Sequence, residues 1–189
     1  MNKTFVFFSV ICALVLLLSF SVFAQDEKTL LRSAMDSLQA GDIEKTQQTL
    51  DQVQLILWNQ APMKIENVTF TEGESHSYGV YKKRDSNVFQ PQETMYLYAE
   101  PKNFTIQKEN GQYAISLVFD VNLYDKNGKV LVTKEAFNKY DYATQKPVTE
   151  IFLNLYFNLT VDPGEYFLEV ILRDQFSGKT ASLNLPFRK

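Results

Sequence analysis

From residue 64 to the C-terminus, apolar residues recur at every second position, and this period of two constrains the fold more than any other feature of the chain. Tyr113, Ile115, Leu117, Phe119, Val121 and Leu123 fall on one side of an extended strand. Ile151, Leu153, Leu155, Phe157 and Leu159 repeat the pattern, then Tyr166, Leu168, Val170 and Leu172, then Ala181, Leu183, Leu185 and Phe187. Successive side chains of a strand point to opposite faces, so each run supplies one buried face of a sheet. Shorter strands are expected at 65–71, 94–100 and 129–133. Turn residues fall between the runs: Asp125-Lys126-Asn127-Gly128, Asp162-Pro163-Gly164 and Ser177-Gly178. Asn-Gly favours a tight hairpin, and Pro-Gly suits a type II turn. At least seven strands with no helix between them predict an antiparallel β-sandwich.

Ahead of the strands the period changes to three and four. Leu30, Leu31, Ala34 and Leu38 form one stripe, and Ile43, Thr46, Leu50, Val53 and Leu57 form a second. Gly41 suits a helix end, Asp42 can cap the next helix, and Pro62 stops it. Two helices are expected, at about 27–39 and 42–59, with one kinked helix as the alternative. Ala34-x3-Leu38-x2-Gly41-Asp42 resembles one helix pair of a tetratricopeptide-like repeat. A solenoid stacks about three or more such repeats and no second copy is present, so the helices are expected to pack on the rest of the protein.

The first 24 residues read as an export signal rather than as part of the fold. Lys3 gives a positive start, Phe5 to Phe20 is almost unbroken apolar sequence, and Val22-Phe23-Ala24 offers a cleavage site before Gln25. The rival is an uncleaved anchor, because the run approaches the roughly 20 residues that span a bilayer. Cleavage would leave a periplasmic or secreted protein whose only membrane contact is lost with the signal. The expected organisation is therefore 1–24 signal peptide, 25–61 helical hairpin and 62–189 sandwich. Cys12 is the single cysteine and follows bulky Val10-Ile11 inside the run, which argues against lipid attachment. Loss of the signal leaves a cysteine-free chain, long enough to bury roughly 70% of its unfolded surface without disulfides.

Residues 159–187 carry a recognisable likeness. Leu159-x3-Pro163-Gly164-x-Tyr166-x-Leu168-x-Val170, followed by Asp174, Ser177-Gly178-Lys179-x-Ala181 and Leu185-Pro186-Phe187, resembles the terminal hairpin of bacterial extracytoplasmic immunoglobulin-like domains. The resemblance implies an immunoglobulin-like antiparallel β-sandwich and carries no active site with it.

Composition narrows the chemistry. The formal net charge is −3, and removal of Lys3 makes it one unit more negative. Lys82-Lys83-Arg84 is the nearest thing to a basic cluster, so nucleic acid is not expected as a partner. One histidine, His76, and no cysteine after cleavage leave no ordinary zinc site, and neither a metal nor another cofactor is expected. Gly73-Glu74-Ser75-His76-Ser77 superficially resembles a nucleophile motif, but neighbouring side chains of an extended strand face opposite ways. Glu93, Glu100, Asp120, Asp125, Asp162 and Asp174 lie at or near strand ends, with no spacing that pairs two of them. Asp125-x-Asn127-Gly128 lacks the loop length and final Glu of a calcium-binding loop. Asn67-Val68-Thr69, Asn103-Phe104-Thr105 and Asn158-Leu159-Thr160 match glycosylation acceptors and are read as chance.

Aromatic residues are the remaining oddity, with 10 Tyr, 15 Phe and the single Trp58. Tyr96, Tyr98, Phe152 and Tyr156 fall opposite the core rows, where a sheet facing water would show polar groups. Two covers are expected for that face: the helical stripe of Leu50, Val53, Leu57 and Trp58, or an external partner. The function expected is that of a non-enzymatic interaction or accessory protein of the cell envelope, binding a protein partner through Tyr96, Tyr98, Phe152 and Tyr156. A carbohydrate-binding module that takes a glycan is the alternative, and a carboxylate-dependent hydrolase the more distant one.

Overall fold

The computed structural model describes residues 26–189, so the expected signal segment lies outside the described residues. Two helices, α1 (Glu27–Gln39) and α2 (Ile43–Gln60), precede eight strands. These are β1 (Lys64–Thr71), β2 (Met95–Lys102), β3 (Gln107–Glu109), β4 (Gln112–Asp125), β5 (Val130–Thr144), β6 (Leu153–Phe157), β7 (Glu165–Asp174) and β8 (Thr180–Arg188). The chain divides into two units, one running through Gln54 and the other covering Leu55–Lys189. No helix among the described residues is long and apolar enough to cross a membrane.

The helices begin and end where the sequence says they should. The Asp26 carboxylate caps α1 by accepting from the Lys28 amide at 3.3 Å, and Asp42 caps α2 through the Lys45 amide at 3.0 Å. Gly41 joins them at φ 75°, a left-handed conformation that a side chain would strain. The buried stripe differs from the expected one. Leu30, Ala34 and Ser37 are buried on α1, and Thr46, Thr49 and Val53 on α2. Leu38 and Ile43 are exposed, and Leu50 and Leu57 are 45% and 51% exposed. Small side chains thus make up much of the buried set, and of the larger residues Leu30 and Val53 are buried while Leu38, Leu50 and Leu57 are exposed.

The second unit is a sandwich of antiparallel sheets. Sheet I has the order β1-β2-β6. In sheet II, β4 pairs with β3, β5 and β7, and β7 pairs with β8. Tyr113 and Ala114 pair with both β3 and β5, so these two strands flank opposite edges of β4. The order of the long strands is therefore β5-β4-β7-β8. The inward rows are the expected ones: Leu117, Leu168, Val170 and Leu172 are fully buried from sheet II, and Met95, Leu97 and Ala99 from sheet I. They share one core with Phe89, Phe104 and Phe187. The last turn of α2 joins this unit. Trp58 donates its indole N–H to the Phe104 carbonyl at 2.7 Å, and Asn59 exchanges two bonds with the Ile106 backbone. The Lys179 ammonium sits on the carbonyls of Asn59, Ala61 and Asn103, where it meets the negative end of the helix.

Three local features differ from expectation. Strand β5 runs to Thr144 rather than stopping near 133, although its sequence from Lys134 is mixed and polar. Its pairing shifts between Val121↔Lys134 and Phe119↔Asn138, and Ala136 at the shift has φ 47°. The Asp120 carboxylate holds this bulge by accepting from the Ala136 amide at 2.7 Å while bonding Arg173 at 2.7 Å. Gly164 does not have the positive φ that a type II turn requires. A Cβ there would meet the Tyr166 ring at 3.3 Å, and Tyr166 donates its hydroxyl to the Asp162 carbonyl across the same turn. Close approach to the ring is what the glycine supplies.

Candidate binding groove

The four aromatic residues singled out in the sequence separate into two pairs. Tyr96 and Tyr156 are cross-strand partners in the β2–β6 register, so their side chains share the outer face of sheet I. Tyr156 is 57% exposed and Tyr96 is half-buried. Tyr98 and Phe152 lie beside them in a stack of three rings: Tyr81 at 4.2 Å from Tyr98, and Phe152 at 5.7 Å on its other side. Tyr98 is fully buried. Its cover is the connection between β1 and β2, residues 72–94, whereas the expected cover was the helical stripe. The reason is local: a long connection returning across its own sheet reaches that face without any help from elsewhere in the chain.

Beneath this connection is a buried polar cluster. The Tyr98 hydroxyl accepts from the Gly79 amide at 2.7 Å and donates to the Glu100 carboxylate at 2.8 Å. Glu100 also accepts from Asn67 at 3.0 Å and pairs with Lys102 at 3.2 Å, and Lys102 donates to the Tyr78 hydroxyl. Burial pushes the Tyr98 phenol up to about 12. Burial also raises the Glu100 carboxyl, but bonds from Tyr98, Tyr78, Asn67 and Lys102 outweigh it and hold the group below the usual carboxylate range. The cluster joins the connection to β2.

Three more of the strand-end acids are similarly engaged, as Asp120 is at the bulge. Asp174 accepts from the Thr105 amide at 2.6 Å, the Phe176 amide at 2.9 Å and the Ser177 hydroxyl at 2.8 Å. Asp125 accepts from the amides of Asn127 and Lys129 in its hairpin turn. Glu93 bonds Arg84 at 2.7 Å and the Gln90 amide at 2.6 Å. Ser75 exchanges two bonds with the Asn154 side-chain amide. Among the described residues no group of three metal-ligating side chains converges.

The open feature of the sandwich is a groove along one flank. Sheet II has four long strands and sheet I has three, and β1 lies against β8 on the opposite flank. The strands therefore run out on the β6 side, and among the described residues no strand of sheet I pairs beyond β6 over the inner face of β5. Val132, Lys134, Asn138, Tyr140 and Tyr142 face inward opposite Leu123, Val121, Phe119, Leu117 and Ile115. Yet Val132 and Tyr142 are 43% and 44% exposed. The gap holds a cavity of about 740 Å³ whose lining includes Val121, Leu123, Lys134, Phe137, Leu155 and Phe157. A second cavity of about 430 Å³ continues it past Asn138, Tyr140 and Phe152. Phe137, thrown inward by the bulge, stacks on Phe157 at 5.6 Å and bridges the sheets at this edge. Tyr156 and Phe152 stand on its rim, so two of the four expected residues border the groove.

Sequence reasoning missed Lys134, Phe137 and Asn138 because the bulge breaks the period of two between residues 134 and 138. The spacing of Asn138, Tyr140 and Tyr142 was the remaining signal that the strand continued.

No family model matches the chain, and no curated protein matches it. Among solved structures, similarity is found to the sporulation control protein Spo0M from Bacillus subtilis, with 12% identity and a TM-score of 0.33. That alignment covers 68% of this chain and 49% of the other, so the chain spans about half the length of that protein. A conjugate transposon protein from Bacteroides vulgatus aligns at 18% identity and a TM-score of 0.30, over 63% of this chain and 83% of that one.

Proposed function

We propose that the protein is an exported, non-enzymatic accessory module of the cell envelope that binds a protein partner through the open flank of its sandwich. The observation that carries this reading is the groove: a mainly apolar cleft between β5 and β6, rimmed by Tyr156 and Phe152. Exposed apolar surface with aromatic residues at its margin is the usual composition of a contact site. The engagement of Glu93, Glu100, Asp120, Asp125 and Asp174 in turns and strand ties supports a non-enzymatic role. Trp58, the ring most useful to a glycan-binding platform, is turned inward on Phe104 at 5.2 Å. Export rests on the pattern of Met1–Ala24, and kinship with extracytoplasmic immunoglobulin-like domains rests on the hairpin of residues 159–187.

The test is photo-crosslinking in cells from position 156, with position 98 as the buried control. One dominant protein adduct from position 156, with none from position 98, is the expected result. A clean position 156 in a protein that is exported and folded would overturn the reading.

A further inference from the structure

The flank between β5 and β6 lacks one strand, and the surrounding residues specify what would fill it. Sheet I stops at β6, whose five residues pair with β2 in unbroken register from Met95↔Phe157 to Ala99↔Leu153. Among the described residues no strand pairs with its other edge. At about 3.4 Å per residue that edge is roughly 17 Å long, enough for a short strand. A strand laid beside β6 would cover the inner face of β5 and bury Val132, Phe137 and Tyr142.

The neighbouring edge is treated differently. Strand β5 also has a free edge, but it is interrupted by the bulge at Ala136 and carries Lys134 and Lys139, devices that discourage pairing. Strand β6 has no bulge and no charged residue between Leu153 and Phe157. The edge above the cavity is the one left able to pair.

We propose that the groove accepts a single extended segment of a second polypeptide, which adds to sheet I along β6. Its inward side chains alternate apolar residues with one acidic residue. Backbone bonds to β6 supply the pairing, and alternate side chains enter the cavity. Lys134 is the only charged side chain on the larger cavity's lining, and it calls for a carboxylate on the inward face of the incoming strand. A second copy of this chain is disfavoured by topology. Antiparallel pairing of β6 with β6 would place each copy's β5 where the other's β4 lies. The donor is therefore a free strand or terminus without a second sheet behind it. This inference rests on the reading of the flank as a partner site.

The experiment uses the full chain and a panel of synthetic peptides of roughly nine residues, alternating Val or Ile with Thr. Glu is placed in turn at each inward position. Hydrogen exchange followed at the amides of Leu153–Phe157 should slow when a member of the panel binds. N-methylation of alternate amides along one edge of that peptide should weaken binding at least about tenfold, and methylation along the other edge should leave it unchanged. Lys134→Glu should weaken the Glu peptide by about tenfold and favour the matching Lys peptide. No protection of β6 by any member at millimolar concentration would overturn the proposal, as would equal loss from methylation of either edge. Dimerisation of the full chain through β6 would overturn it in favour of a second copy. A crosslinked partner at position 156 without β6 protection would leave the binding function standing and remove strand addition alone.

Discussion

The two flanks of the sandwich face the same problem and solve it in opposite ways. At the β8 flank the chain covers its own edge. Residues 87–89 run parallel to the end of β8: Arg188 donates to the Asn87 carbonyl at 2.9 Å, and Phe89 donates to the Arg188 carbonyl at 2.9 Å. Phe89 then plugs the end of the core, edge-on to Phe70 at 5.1 Å and to Phe187 at 6.3 Å. Arg84 lies over its ring at 4.4 Å, and Lys189 donates to the Glu93 carbonyl at 2.9 Å. At the β6 flank, among the described residues, no segment pairs with the edge strand in this way. One bridging aromatic, Phe137, spans a cavity, and the inner face of β5 stays half-exposed. An unpaired edge is a liability that proteins normally blunt. The chain seals one flank with its own loop and leaves the other edge unpaired beside a cavity.

Mutations should break that comparison in order of size. Phe89→Ala should cost about 3–5 kcal/mol, since it empties a fully buried ring site, and would be read by denaturant unfolding. A cost below about 1 kcal/mol would mean that the flank is not sealed as described. Glu100→Gln should cost about 1–3 kcal/mol, because it removes a hydrogen-bonded buried charge and leaves Lys102 with the Tyr78 hydroxyl but without its ion-pair partner. The same group sharpens the comparison through pH. Its carboxyl is held below the usual range when folded, so its contribution is present above an ordinary glutamate's value. That contribution is lost as pH falls through the folded value. Tyr98 acts at the other end: its phenol is raised to about 12, so its contribution is intact below about 10 and is lost as pH rises toward 12. Melting temperature followed against pH should decline less steeply on the acid side in Glu100→Gln and on the alkaline side in Tyr98→Phe.

The open flank should respond weakly in stability. Phe137→Ala should cost about 1 kcal/mol, because its ring is bridging but 38% exposed. Tyr156→Ala should lie within about 0.5 kcal/mol of the parent while removing most of the partner binding. A large loss of stability from Tyr156→Ala would show the two flanks to be alike after all.

Legibility in the sequence followed the regularity of the local signal. The helix boundaries at 27–39 and 43–60 were readable because Asp26, Gly41 and Asp42 act within one turn. The β4, β7 and β8 rows were readable because burial on one face writes itself as strict alternation. Where the backbone departs from regularity, reading failed. The bulge at Ala136 interrupts the alternation between Lys134 and Asn138 and hid the second half of β5, together with Lys134 and Phe137. The helical stripe was read in part: Leu30, Ala34, Thr46 and Val53 are buried as expected, whereas Leu38, Ile43, Leu50 and Leu57 are exposed and Ser37 and Thr49 are buried in addition. Of the four aromatic residues expected to bind, Tyr156 is exposed on the groove's rim and Phe152 borders its extension, while Tyr98 is structural.

The sequence by itself determined most of the strands, the helix ends and the places of the turns, because each depends on residues within a few positions of one another. It also determined that acids would lie at strand ends, though not what they would hold. Tertiary structure alone decided the order of the strands, the use of residues 72–94 as cover for Tyr98, and the sealing of one flank by Phe89. It also decided that sheet I, with three strands, would be narrower than sheet II, with four long strands and the short β3. Such features depend on contacts between residues far apart in the chain, such as Arg188 with Asn87 and Phe137 with Phe157, which leave no periodic trace. The groove exists because two sheets of unequal width share one core, a property that no single strand carries.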